Sequence, residues 1–461
     1  MSPMPITDSI FLLAETREHP LHVGGLQLFR LPDDAGPDFL SDTYRSLVTD
    51  EAQDQVRPLF RKRLRGPVGN LGQWAWATDD KLDMEYHVRL SALPRPGRVR
   101  ELLELTSRLH GSLLDRHRPL WEHHMIEGLE GNRFATYTKV HHAVLDGVAA
   151  LRLLRLSLSE DPDIRDLPPP WAVTPPGSSA KSEEDTEGWD PLRFVGSIGH
   201  GISDLIGVGP TLLNTVLKGL RDQKATLPFK APRTILNVPI TGARRFAAQS
   251  WSLDRVKTIR EKTGATVNDV VLAMCSGALR GYLDELNALP DRPLIAMVPV
   301  SFRARQDTSD AGGNRVGTVL CDLGTHLADP KARFERIRSS IGEGKNTLAE
   351  LSPLQILAMS ALVMAPLAIA PIPGAVKLTT PPFNLIISNV PGPPNPVYSN
   401  GARLEGVYPL SVPYDGQALN ITTTSYAGSL EFGLTGCRRN VPRLQRLLIH
   451  LENALTELER I

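Results

Sequence analysis

The sequence predicts an α/β (α+β) fold of two domains, because short β-rich runs alternate with longer amphipathic helical patterns over 461 residues. A chain of this length can bury more than one core. Apolar runs bounded by turn residues predict strands at 21–29, 134–140, 293–301 and 429–436. Apolar residues at helical spacing predict helices at 98–114, 147–159, 267–286, 330–346 and from Pro442 onward.

A change of composition near the middle of the chain separates the two domains. Residues 160–191 are rich in proline, serine and acidic residues and hold too few apolar residues to fold alone. A helical pattern follows at 192–222. We therefore predict an N-terminal domain at 1–160, a linker with a crossing helix at 161–230 and a C-terminal domain at 231–461.

Charge and cysteine content narrow the class of protein. Lysine plus arginine and aspartate plus glutamate each total 51, so no global field draws the chain to nucleic acid or anionic lipid. The three cysteines are far apart and show no CxxC spacing, which is typical of a reduced compartment. The first residues lack the basic region of a signal peptide. We expect a cytoplasmic protein without a nucleic-acid partner.

One uncharged segment tests this expectation. Residues 351–376 carry no charge over 26 positions, which is long enough to span a bilayer. Four prolines interrupt the segment and break any long helix. A buried helix or an apolar surface patch is therefore favoured over a membrane span, and a peripheral contact with a membrane or a lipid inclusion stays open.

The sequence "HHAVLDG", residues 141–147, lies between a predicted strand and a predicted helix. Side chains on such a turn can project into a cleft. Histidine is suited to general base catalysis because its unperturbed pKa is near 6.5. A structural histidine is an equally simple interpretation. A metal site is the weakest one, because no HExxH motif or second histidine or cysteine cluster is present.

Two further residues of this stretch have alternative roles. Asp146 comes four residues after His142 and could orient the imidazole if the segment were helical. It could instead cap the following helix, and Gly147 would then permit a close approach of the backbone. His123 and His124 form a comparable pair in a β-like run without an Asp-Gly turn, so we predict a structural role for them.

The stretch matches the HHxxxDG motif of the CoA-dependent acyltransferase superfamily, and nearly the whole chain resembles the bacterial wax ester synthase/diacylglycerol acyltransferase family. The blocks that carry the resemblance occur in the family's order: "DSIFLLAETREHPLHVGGL", "LLDRHRPLWEHHMIEGL", "HHAVLDG", "ATVNDVVLAMCSGALRGYL", "VPVSFR", "NLIISNVPGP" and "LNITTTSYAGSLEFGL". The resemblance implies two chloramphenicol-acetyltransferase-like domains with mixed sheets and a tunnel at their interface.

The resemblance also implies roles for the motif residues His141, His142, Asp146 and Gly147. His142 would be the general base that takes the proton of an acceptor alcohol as its oxygen attacks an acyl-CoA thioester. Asp146 would hold the loop, and Arg303 in "VPVSFR" is our candidate for its partner.

A second motif is expected to face the cleft. Asn268 and Asp269 stand at the start of a predicted helix of the second domain. The resemblance implies that they bind substrate, with Asn268 a candidate hydrogen-bond donor to the thioester oxyanion. Capping of the helix is the alternative, for Asp269 above all.

The expected activity is transfer of a fatty acyl group from acyl-CoA to diacylglycerol or a long-chain alcohol, which gives triacylglycerol or wax ester. Acyl-CoA would be a co-substrate, with no bound cofactor and no metal. Two alternatives stay open: a non-catalytic protein of the same fold that coats storage lipid, and an acyltransferase with a different alcohol acceptor. Segment 351–376 is the candidate contact with a membrane or lipid-droplet surface.

Overall fold

Two six-stranded mixed sheets, each with helices packed against it, form the protein. The computed structural model describes residues 2–4, 6–66, 74–174, 230–302, 315–351, 355–356, 376 and 380–461. The predicted helix at 192–222, Arg303 and most of segment 351–376 lie outside the described residues.

The first part of the chain contributes seven strands to the described structure: β1 (Ser2–Pro3), β2 (His22–Arg30), β3 (Lys62–Arg65), β4 (Ala75–Thr78), β5 (Val88–Ala92), β6 (Trp121–Leu129) and β7 (Arg133–His141). Its described helices are α1 (Ile6–Ala14), α2 (Phe39–Leu47), α3 (Asp50–Asp54), α4 (Met84–His87), α5 (Val99–His110) and α6 (Gly147–Leu156). A short 3₁₀ helix spans Pro58–Arg61.

The second part contributes eight described strands: β8 (Arg244–Ser252), β9 (Ile295–Phe302), β10 (Arg315–Asp322), β11 (Leu385–Pro391), β12 (Tyr398–Ser399), β13 (Ala402–Leu410), β14 (Leu419–Tyr426) and β15 (Ser429–Cys437). Its described helices are α7 (Leu253–Thr263), α8 (Val267–Glu285), α9 (Pro330–Glu350) and α10 (Arg446–Leu458).

Both large sheets mix parallel and antiparallel strands, so the predicted fold class is confirmed. The first sheet has the order β12-β13-β2-β7-β6-β5, with β5 and β6 parallel. The second has the order β10-β9-β11-β14-β15-β8, with β11 parallel to both of its neighbours. A small antiparallel sheet of β1, β4 and β3 accompanies them.

Strand β13 comes from the second part of the chain but pairs with β2 of the first sheet. It passes close to β15 of the second sheet: a Cβ atom placed on Gly433 would lie 1.9 Å from the carbonyl oxygen of Pro409. Only glycine permits this approach, because any side chain would overlap the passing backbone. The two sheets are therefore linked by a strand exchange that the sequence analysis did not predict.

Local sequence explains where the helices near the two motifs begin. Asp146 has an extended backbone, and its carboxylate accepts a hydrogen bond from the Ala149 amide at 2.6 Å, so α6 starts at Gly147. Helix α8 starts with a capping box between Thr266 and Asp269, in which each side chain accepts from the other's backbone amide. Such caps contribute about 1 kcal/mol each.

The described core has a separate large cluster in each part. The second-part cluster packs α8 and α10 on the second sheet. The first-part cluster includes Trp121 and, from the predicted linker, Trp171 and Val173, which are almost completely buried. Arg57 holds this piece with two hydrogen bonds, from its amide to the Trp171 carbonyl and from its guanidinium to the Val173 carbonyl. The beginning of the predicted linker thus contributes to a folded core.

The predicted strands are confirmed to within two residues at their ends. The C-terminal helix begins at Arg446, four residues later than predicted, because Arg443 has a φ of 51° in the left-handed region and cannot continue a helix. Helix α5 ends at His110 and α6 at Leu156, both short of the predicted ends. Within the ranges described above, no helix has both the length and the apolar character needed to cross a membrane.

Candidate active site

His142 lies in the tight turn between β7 and α6. Its amide donates to the carbonyl of Leu21 at 2.9 Å, which ties the turn to the start of β2. Its imidazole stacks on the ring of Phe11, with centroids 5.4 Å apart and an angle of 14° between the planes. The residue is only 5% exposed, yet it lines a cavity of the described structure. A histidine fixed in this way faces a ligand with little conformational freedom.

The cavity has a volume of about 590 Å³ and is lined by residues of both large sheets. This volume is typical of a small-molecule site. The apolar part of the lining includes Val23, Val140, Leu153, Leu154, Ile386 and Val412. Among the described lining residues, Lys345 on α9 alone carries a permanent charge. The site can therefore hold a long apolar group near a histidine.

His141 points away from the cavity and is fully buried. Its Nδ1 accepts from the amide of Ala143 at 3.1 Å, so the proton of the neutral ring is on Nε2. That nitrogen lies 3.4 Å from a carboxylate oxygen of Glu15. Burial lowers the pKa of His141, and the opposing attraction of Glu15 does not restore it. His141 is a neutral ring that supports the turn.

Asp146 and Gly147 occupy the first turn of α6. Asp146 is 1% exposed and its carboxylate caps the helix, as the capping alternative expects. Gly147 lines the cavity, and a Cβ atom placed on it would meet no described protein atom within 4 Å. The expected close approach of a backbone to Gly147 is therefore wrong for the described residues. The space that a side chain would occupy belongs to the cavity.

The two residues of the second motif, Asn268 and Asp269, have different positions in the structure. Asn268 lines the cavity from the first turn of α8, on the second part of the chain, whereas His142 reaches it from the first part. Asp269 is not a lining residue, because its carboxylate accepts from the Thr266 amide at 2.8 Å in the capping box. The structure thus brings Asn268, but not Asp269, to the cavity with His142.

The comparison pair, His123 and His124, lies in β6 and does not line the cavity. The ring of His123 contacts the Thr138 hydroxyl at 2.8 Å, and His124 contacts the Glu122 carboxylate at 3.1 Å. Burial lowers the pKa of His123 to about 3. Both rings are satisfied within the protein, as expected of structural histidines.

Four residues with a bearing on the site were not singled out from the sequence: Phe11, Glu15, Trp171 and Gln417. Phe11 and Glu15 belong to the quoted N-terminal block, but their contacts with the histidines join distant parts of the chain. Trp171 was included in the linker, where it is one of two tryptophans in a polar, proline-rich stretch. Gln417 lines the cavity from the approach to β14, and no local pattern marks it.

The described residues contain no group of three or more histidine, cysteine, aspartate or glutamate side chains that could hold a metal ion. The three cysteines are buried and unpaired by disulfides. The polar groups of the cavity are His142, Asn268, the Lys345 ammonium and several neutral amide and hydroxyl groups.

Two family models match the chain. The wax ester synthase/diacylglycerol acyltransferase catalytic domain matches residues 4–271, and the C-terminal domain of the same family matches residues 312–459. The two matches define the class of protein as an acyltransferase of two domains. The chain belongs to the wax ester synthase/diacylglycerol acyltransferase family, and it is an acyltransferase.

Individual relatives resemble this chain over nearly its full length. A probable diacylglycerol O-acyltransferase of Mycobacterium tuberculosis is 54% identical over 461 residues, covering 100% of this chain and 99% of the relative. The structure of the wax ester synthase/diacylglycerol acyltransferase from Marinobacter aquaeolei VT8 is 42% identical in sequence and matches with a TM-score of 0.79. The match covers 100% of this chain and 99% of the Marinobacter chain. The first condensation domain of the CDA synthetase is 15% identical and matches with a TM-score of 0.57, over 99% of this chain and 95% of the condensation domain. At this identity the match shows a shared fold alone.

Proposed function

We propose that the protein transfers a fatty acyl group from acyl-CoA to the hydroxyl group of a diacylglycerol or a long-chain alcohol. The products would be triacylglycerol or wax ester and free CoA. The observation that carries this proposal is the position of His142 on the wall of a largely apolar cavity of about 590 Å³. A general base beside an apolar cavity suits acyl transfer between two lipophilic substrates.

In the proposed reaction the His142 imidazole takes the proton from the acceptor hydroxyl as its oxygen attacks the thioester carbonyl carbon. The tetrahedral intermediate then collapses, and CoA leaves as a thiol after the imidazolium returns the proton. No acyl-enzyme forms in this sequence. Two contacts support the role, because they fix the base at one place in the cavity: the stacking on Phe11 and the hydrogen bond from the His142 amide to the Leu21 carbonyl.

Asn268 would donate a hydrogen bond to the oxyanion from the opposite wall of the cavity. Its position in the first turn of α8 supports this role, since the partial positive charge of a helix N-terminus also favours developing negative charge. We propose Asp269 and Asp146 as capping residues rather than as catalytic ones. Arg303 remains our candidate partner for Asp146.

The other motif residues would act without touching the reacting atoms. His141 would be a positioning residue that holds the turn through Glu15. Gly147 would leave room for substrate beside His142. We retain the division into domains at 1–160 and 231–461 as part of the proposal, with the cavity as a tunnel at their interface.

The two substrates would enter from different sides. Lys345 supports entry of acyl-CoA along the second part of the chain, because CoA is highly anionic and this lysine is the charged group of the described lining. The acceptor would approach along the apolar wall of the first part. We propose a cytoplasmic protein that contacts a membrane or a lipid inclusion through segment 351–376.

The test measures release of CoA thiol from palmitoyl-CoA with dioleoylglycerol, with hexadecanol and without acceptor, with identification of the lipid products. Acceptor-dependent release should fall at least about 100-fold in His142→Ala. His117→Ala is the matched control, because His117 is a histidine with a 96% exposed side chain. Release that persists in His142→Ala would refute the role of the base. Lipid binding without turnover in either protein would favour the storage-lipid-coating alternative.

A further inference from the structure

Among the described residues that line the cavity, two buried side chains have a polar atom without a hydrogen-bond partner. These atoms are the indole Nε1 of Trp171 and the amide Oε1 of Gln417. The Gln417 amide is oriented by its nitrogen, which donates to the Phe383 carbonyl at 3.3 Å, so its oxygen is left free. One atom is a donor and the other an acceptor. Burying either without a partner costs free energy, which a ligand in the cavity can offset.

Trp171 is held rigidly. It is 1% exposed, and its ring stacks on Trp121 with centroids 5.0 Å apart and 28° between the planes. Its carbonyl accepts from the Arg57 amide at 3.0 Å. Trp121 differs in one respect, since its indole N–H donates to the Phe60 carbonyl at 2.8 Å. The N–H of Trp171 is thus the free donor of a stacked tryptophan pair.

The tryptophan pair lies next to the proposed base. Trp121 in β6 stands opposite Val140 in β7, two residues before His142. Trp171 also shares a buried cluster with Ala143, Val144 and Leu145 of the histidine turn. His142 and Trp171 also line the same cavity, so one substrate can contact both side chains.

The chemistry of the substrates decides what can use this donor. A fatty acyl chain has no hydrogen-bond acceptor, and a long-chain alcohol has only the hydroxyl that reacts. A diacylglycerol carries two ester carbonyls close to its hydroxyl. The anionic part of CoA is better matched to Lys345, which lies on α9 against the second sheet. Gln417 Oε1 cannot serve a carbonyl, because both groups only accept.

We propose that the Trp171 indole N–H donates a hydrogen bond to an ester carbonyl of the diacylglycerol acceptor and thereby selects diacylglycerol over long-chain alcohols. The inference rests on the proposed function and adds the residue that discriminates between its two acceptor classes. A site that leaves a buried donor unpaired with one substrate disfavours that substrate. A neutral hydrogen bond of this kind corresponds to about three- to tenfold in kcat/KM.

The test replaces Trp171 with β-(3-benzothienyl)alanine, in which sulfur takes the place of the N–H in a ring of nearly the same shape. Three acceptors are compared with palmitoyl-CoA: dioleoylglycerol, the corresponding dialkyl diether of glycerol, which lacks both carbonyls, and hexadecanol. The wild type should prefer the diester to the diether by about three- to tenfold in kcat/KM. In the variant this preference should disappear through loss of diester activity, while the diether and hexadecanol values stay within about twofold.

The matched control carries the same replacement at Trp121. There it removes the bond to the Phe60 carbonyl, so activity with all three acceptors should change in parallel and the preference for the diester should remain. The inference would be overturned by a wild type that uses diester and diether equally. It would also be overturned if the Trp171 replacement reduced all three activities together, which would indicate a bond to the thioester. A wild type inactive with every acceptor would instead refute the proposed function itself.

Discussion

A carboxylate oxygen of Glu15 lies 3.4 Å from Nε2 of His141, and both side chains are almost completely buried. Glu15 also accepts from the Leu21 amide at 3.0 Å and from the Arg116 guanidinium at 3.0 Å. Burial alone would raise the pKa of Glu15, but the contacts with His141, Leu21 and Arg116 hold it below its ordinary value. A charged carboxylate therefore supports the turn that carries His142.

We predict that Glu15→Gln weakens both the fold and the reaction. Glutamine is nearly isosteric but uncharged, so Arg116 and His141 lose their charged partner. The free energy of unfolding should fall by about 1–3 kcal/mol. Displacement of the turn should lower kcat by roughly 10- to 100-fold while leaving KM for acyl-CoA nearly unchanged. Urea unfolding and steady-state kinetics measure the two effects. Glu18→Gln, an exposed glutamate of the same segment, should behave as wild type; an unaltered kcat in Glu15→Gln would contradict the positioning role.

The second prediction concerns the cap of α6. Asp146→Ala removes the acceptor of the Ala149 amide and should reduce the free energy of unfolding by about 1–2 kcal/mol. Asp146→Asn keeps a side-chain oxygen and should lose less than half as much. Urea unfolding of the two variants distinguishes the contributions. If Asn proves as unstable as Ala, the negative charge rather than the cap bond holds the turn, as pairing with an arginine such as Arg303 would require.

The third prediction concerns pH. Burial raises the pKa of Glu431 from 4.5 to about 7, and the hydrogen bond from the Ser250 hydroxyl offsets this only in part. The folded state thus holds a proton that the unfolded chain releases, so the contribution of Glu431 to stability is fully present below pH 4.5 and is lost as pH rises to about 7. The loss amounts to at most about 3 kcal/mol.

Glu431→Gln should remove this pH dependence, because an amide does not titrate. The free energy of unfolding, measured by urea titration from pH 4.5 to 8, should decline less steeply in the variant than in the wild type. Glu335→Gln provides the control, since Glu335 is exposed. Parallel curves for wild type and Glu431→Gln would show that Glu431 does not hold the proton.

The fourth prediction separates the two residues of the second motif. Asn268→Ala removes the proposed oxyanion donor and should lower kcat by about 100- to 1000-fold with little change in stability. Asp269→Ala should instead lower the free energy of unfolding by about 1 kcal/mol and leave kcat largely unchanged, because the Asp269 carboxylate accepts a hydrogen bond from the Thr266 amide. Kinetics and urea unfolding of both variants decide the matter. Equal losses of kcat would mean that Asp269 also acts in the reaction.

The four predicted strands and the five predicted helices that lie in described residues begin within four residues of their observed starts. Strand β7 was expected from an apolar run bounded by polar residues, and α8 from apolar residues at helical spacing after Thr266. The capping alternative for Asp146 rests on the residue type and its position before an apolar helix, and the Ala149 contact agrees with it. These features depend on neighbours within a few positions along the chain.

The sequence by itself determined the class of fold, the motif on the strand-to-helix turn and the family resemblance. The tertiary structure decided that β13 joins the first sheet, that Glu15 contacts His141 and that Trp171 lines the cavity with an unpartnered N–H. The physical reason is distance along the chain. Periodicity and capping act between near neighbours, whereas strand exchange, buried charge and hydrogen-bond satisfaction depend on atoms that meet only when the two parts of the chain pack together.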